Sequence, residues 1–65
     1  MIVTVNDRRV EVDEQTTVAG LLESLGFPNR GVAVAIDFAV LPRSDWATKL
    51  FDGARLEVVT AVQGG

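Results

Sequence analysis

Apolar and polar positions along this chain alternate at both ends and switch to a helical period once, between residues 18 and 25. Ile2, Val3, Thr4 and Val5 are β-branched. Asn6-Asp7 follows, both residue types that tolerate turns, and residues 9–12 then alternate as a half-buried strand does. This pattern predicts an opening β-hairpin, with Met1, Val3, Val5, Val10 and Val12 on one face and Ile2 and Thr4 on the other. Asp7 stands where a two-residue hairpin turn prefers glycine, so a somewhat longer loop is expected. After a polar connection, Thr17 is placed to cap a helix. Val18, Leu21, Leu22 and Leu25 fall at i, i+3, i+4 and i+7, a stripe predicted to be buried under a sheet along about two and a half turns. Gly20 suggests a close approach between helix and sheet. Gly26 is placed to end the helix in the left-handed conformation with Phe27 reaching back to Leu22, and Pro28 stops continuation.

Residues 29–31 read as a loop and 32–36 as a strand. Val32, Val34 and Ile36 share one face of it, Ala33 and Ala35 the other. A turn at Asp37-Phe38 leads to a short edge strand at Val40-Leu41, ended by Pro42. Ser44 is placed to cap a single helical turn, and Trp46 and Leu50 to anchor the irregular segment on the core, with packing preferred over binding for Trp46. Asp52-Gly53 is a turn signal before a last strand at 55–62, in which Leu56 and Val58 face the core. Val59 and Ala61 then lie on the outer face with Ala33 and Ala35. Two readings of that face stay open: an apolar partner surface, or residues chosen only because they form strands. The element order predicts an α+β fold, a mixed sheet of four to five strands packed on one helix, with the first and last strands central and parallel. One domain is expected over residues 1–65.

Composition narrows the function. With 65 residues, about 60% of the unfolded surface is buried on folding, and there is no cysteine to add a disulfide. Without cysteine or histidine, a structural zinc site is not expected, nor any other metal or cofactor. The absence of histidine, cysteine and tyrosine removes the usual nucleophiles and neutral-pH bases, and Ser24 and Ser44 have nothing to activate them. A catalyst is therefore not expected. The net charge is −3 with the signs interspersed, and Arg8-Arg9 is the one adjacent basic pair, so a nucleic-acid footprint is missing. The apolar run 32–36 is too short to span a bilayer, and no basic start precedes an apolar stretch. A cytoplasmic location with no membrane partner is the expectation.

Gly64-Gly65 follows the last strand after Gln63. Diglycine adds nothing to a strand, yet it makes a thin, flexible tail able to enter a channel that excludes any Cβ. The tail is either reactive at the Gly65 α-carboxyl or an ordinary frayed terminus.

Taken together, Val5-Asn6, Thr17-Val18 leading to Leu21-Leu22, the run 31–36, Pro42-Arg43-Ser44 with Trp46, Asp52-Gly53 and Gly64-Gly65 resemble the ThiS family. Its members are ubiquitin-like β-grasp sulfur carriers of thiamine thiazole biosynthesis. The resemblance covers essentially the whole chain, and the spacing from Pro42-Arg43 to Trp46 in so short a sequence favours it over the longer molybdopterin-synthase carrier. Asp7 and Ala54 depart from it, where glycine and an acidic residue are common. The resemblance implies that a ThiF-like E1 enzyme adenylates Gly65 with ATP. A persulfide donor then converts it to a thiocarboxylate, and the thiazole synthase ThiG takes the sulfur. Gln63, Gly64 and Gly65 would enter the partners' active sites, while Val59, Ala61, Ala33 and Ala35 would form the docking face. Sulfur delivery to molybdopterin or another pathway remains an alternative, as does a ubiquitin-like modifier or binding domain.

Overall fold

The computed structural model describes residues 1–61. The strands are β1 (Ile2–Val5), β2 (Arg8–Glu11), β3 (Val32–Ile36), β4 (Ala39–Leu41) and β5 (Arg55–Thr60). The helix is α1 (Val18–Ser24), and a single 3₁₀ turn spans Arg43–Asp45. The five strands form one mixed sheet in the order β2-β1-β5-β3-β4. The parallel pair β1 and β5 sits inside it, as the pattern predicts.

Both hairpins turn in two residues. Asn6 and Asp7 have φ of 50° and 68°, and Asp37 and Phe38 have 48° and 72°. Two successive left-handed residues match the twist of the flanking strands, which explains why the first loop is shorter than expected despite the lack of glycine. Asn6 also acts as a clamp. Its Nδ2 donates to the Val58 carbonyl at 3.0 Å, and its Oδ1 accepts from the Val58 N–H at 2.8 Å. The turn is thereby locked to β5. Asn6→Ala is expected to cost about 3–4 kcal/mol, from two hydrogen bonds at about 1 kcal/mol each and a left-handed backbone at about 1–2 kcal/mol. Asn6→Gly keeps the backbone and loses only the bonds. Equal urea midpoints for the two variants would show that the backbone contributes nothing.

The helix is held at its start by its neighbours. Thr17 Oγ1 accepts from Gly20 N–H at 3.1 Å, while Val18 and Ala19 N–H donate to the carbonyls of Thr48 and Trp46 at 3.1 and 2.9 Å. The first-turn donors, which have no partner within a helix, are thus satisfied. Gly20 is exposed, and the group a Cβ there would crowd is Thr17 Oγ1 at 3.2 Å, not the sheet. At the other end Gly26 takes φ 84°, with Gly26 N–H bonded to Glu23 O and Phe27 N–H to Leu22 O. This left-handed stop closes the helix after seven residues, about two turns and shorter than the stripe suggested. Leu25 falls at the cap and is 42% exposed, so the predicted buried stripe ends at Leu22.

Val18, Leu21 and Leu22 pack with Val3, Val5, Val34, Leu56 and Val58 from the sheet. Trp46 and Leu50 close one flank, in agreement with the packing role read for them. Trp46 Nε1 donates to the Leu41 carbonyl at 3.3 Å, and the Arg43 guanidinium lies 5.2 Å from its ring centre. Ser44 does not cap the 3₁₀ turn. Pro42 occupies the capping position, and its carbonyl accepts from Asp45 N–H. Ala54 is fully buried, which gives its departure from an acidic residue a reason: a carboxylate there would be taken out of water.

Candidate functional site

β5 positions the candidate site. On one side it pairs with β1 through Thr4↔Arg55 and Val5↔Leu56, and on the other with β3 from Val32↔Thr60 to Ile36↔Leu56. Alternation puts Leu56 and Val58 in the core and Arg55, Glu57, Val59 and Ala61 on the open face. That face changes character along the strand. At its start Arg55 ion-pairs with Asp7 at 2.9 Å and approaches Glu57 at 3.6 Å. At its end stand Val59, 65% exposed, and Ala61.

The register brings together the outer-face residues predicted from sequence. Val59 lies directly opposite Ala33, and Ala35 lies between Glu57 of β5 and Val40 of β4. Ala33 and Ala61 are exposed, and Ala35 is half-buried. Small side chains on β3 leave Val59 standing above its neighbours. Sequence reasoning missed Val40 and Phe38, which are 80% and 78% exposed. Val40 was recoverable from parity, since it faces Ala35 across the second hairpin. Phe38 was not, because turns are normally polar, yet here an aromatic ring extends the face and lies 5.4 Å from the Arg55 guanidinium. Isolated apolar residues on a surface need no explanation, whereas several on one face point to a partner.

Past Val59 the chain leaves the sheet at one end. Ala61 N–H donates to the Gly31 carbonyl at 2.6 Å, the last described contact of the strand. The predicted tail residues Gln63, Gly64 and Gly65 lie outside the described residues. Among the described residues no cluster of three or more His, Cys, Asp or Glu is placed to hold a metal ion, and no helix is long and apolar enough to cross a membrane.

The ThiS family model matches residues 2–65. The chain belongs to the ThiS family. It is similar to the crystal structure of a thiamine biosynthesis protein (ThiS) from Geobacter metallireducens, with 33% identity, a TM-score of 0.79 and full coverage of both chains. It is equally similar to the NMR solution structure of a thiamine biosynthesis protein from the same organism, which it covers to 88% at the same identity and TM-score. No curated protein matches. ThiS membership makes the chain a sulfur carrier of thiamine biosynthesis with the ubiquitin-like β-grasp fold, one helix on a five-stranded mixed sheet. The match extends through Gly64-Gly65.

Proposed function

We propose that the chain carries sulfur as a thiocarboxylate on Gly65 for thiazole formation. The observation that supports this most is the family match running unbroken from the first strand to Gly65. The chemistry follows from the tail. A carboxylate is a poor acyl electrophile, so one of its oxygens attacks the α-phosphorus of ATP and releases pyrophosphate. The resulting acyl adenylate has a good leaving group. The terminal sulfur of a persulfide attacks the acyl carbon and expels AMP, and a thiol cleaves the acyl disulfide to leave the thiocarboxylate. A ThiF-like E1 enzyme supplies the adenylation site, and ThiG is the acceptor of the sulfur. The carrier contributes no acid or base. It is a single domain of residues 1–65 that presents its acyl group at the end of Gly64-Gly65, which carry no side chains.

In this reading Val59, Ala61, Ala33 and Ala35 dock on the activating enzyme while Gln63, Gly64 and Gly65 enter it. Intact mass after incubation with ATP, a persulfide source and the ThiF-like enzyme tests the proposal. Replacement of one oxygen by sulfur is expected. An unchanged mass, or a covalent adduct with another protein, would end it.

The docking face has its own test. Val59→Asp is expected to raise the KM for adenylation about tenfold or more, the size of a lost apolar anchor. The melting temperature should stay put, because Val59 is mostly exposed. Unaltered kinetics in the folded variant would remove this face from the interface.

A further inference from the structure

The other side of the sheet carries a feature that the carrier reading has not used. A groove of about 420 Å³ opens between the first hairpin and the end of α1, lined by Val5, Asn6, Arg8, Arg9, Val10, Leu25 and Phe27. Its lining surface is more apolar than polar. Leu25, which the helical period assigns to the core, instead stands 42% exposed in it.

Arg8 is the charged group on the groove's side of the sheet. The register pairs Val5 with Arg8 and Val3 with Val10, so Arg8 shares its face with core residues. Arg9 and Glu11 lie on the opposite face of the strand. Neither Arg8 nor Arg9 forms an ion pair among the described residues, and Asp7, the nearest acid in sequence, is taken by Arg55. On a chain with net charge −3, an unpaired arginine beside an exposed leucine favours an acidic and apolar partner.

Position says which partner. Asn6, in the groove wall, clamps Val58, and three residues later Ala61 leaves the sheet. Four residues from Ala61 to Gly65 reach at most about 13–14 Å. An enzyme that buries the Gly65 carboxylate must therefore cover this end of the molecule, where the groove opens. We propose that the groove is a second docking surface for the ATP-dependent activating enzyme. Its occupant is a segment of that enzyme presenting a carboxylate to Arg8 and an aliphatic or aromatic side chain to Leu25 and Phe27. The proposal rests on the carrier reading above. It adds a contact on the helix side of the sheet to the one on the open face.

Steady-state ATP–pyrophosphate exchange by the ThiF-like enzyme, at varied concentrations of full-length carrier and two salt concentrations, tests it. Arg8→Glu is expected to raise KM about tenfold with kcat unchanged, and the penalty should shrink as salt rises. Leu25→Ser should raise KM without that salt dependence. Lys49→Glu makes the same charge change at the start of the helix, where Lys49 bridges to Thr17, and should have no effect. Thermal melts accompany every variant, and Arg8→Gln replaces Arg8→Glu if the latter unfolds. Unchanged KM for both groove variants, or an equal penalty for Lys49→Glu, overturns the proposal while the carrier reading stands. Loss of self-association in sedimentation with unchanged exchange assigns the groove to a second copy of the chain, which also overturns it. No exchange with the parent protein defeats the carrier reading and this proposal together.

Discussion

Removal of Gly65 is expected to abolish adenylation and leave the melting temperature where it was. The two effects separate because β5 ends at Thr60, and the described core lies wholly within residues 3–58. Deleting the final residue draws the reacting carboxylate inward by up to about 3.6 Å. A reacting atom misplaced by about 1 Å already costs about 100-fold in rate. An added C-terminal alanine should fail for another reason, since the carboxylate overshoots and a side chain enters the channel. Gly64→Ala should be milder, keeping the reach and adding one methyl group. ATP–pyrophosphate exchange beside thermal melts of the three variants provides the check. Full exchange by the deletion would refute the carrier mechanism. Lost exchange with a large fall in melting temperature would make the tail a structural element.

Leu22→Ala is expected to be among the most damaging core substitutions, at about 2–5 kcal/mol. Leu22 is buried against the sheet, and a chain of this size has a total stability of roughly 3–10 kcal/mol. A loss of that size lowers the melting temperature by on the order of 10 °C or more. Leu25→Ala, one turn further along the same stripe, should cost under about 1 kcal/mol, because much of its surface is already in water. Thermal melts of the two variants side by side test the helix end. Equal losses would mean that Leu25 is packed after all.

The strands were legible because their signals are local. Val32–Ile36 matches its alternation residue for residue, and Asn6-Asp7 and Asp37 fall where polarity interrupts it. The placement of Leu25 was not legible, because periodicity continues past a helix end that is set by the Gly26 backbone. Gly26 is the stop that the sequence predicts, but the stripe includes Leu25, which the structure places at the cap just before it. The chemistry of Asp7 alone points to a longer first loop than the two-residue turn observed. What permits the tight turn is the bond of Asn6 to Val58, a contact between residues far apart in sequence. On the open face, Val59, Ala33 and Ala35 followed from parity, whereas Phe38 belongs to a turn and has no parity to read. The groove required tertiary structure, since its wall joins a hairpin to a helix end.

The parallel pairing of β1 with β5 also decides how the molecule bears load. A tail drawn into a partner's channel pulls along the axis of β5. The inter-strand hydrogen bonds run across that axis, so the pull meets them in shear rather than peeling them one by one. Resistance comes from both sides: Thr4 and Asn6 N–H donate to Ala54 and Leu56 carbonyls on the β1 side, and β3 runs antiparallel along the other. The strand that leads to the tail is thus held along both edges, and tension along it would be shared by its two neighbouring strands.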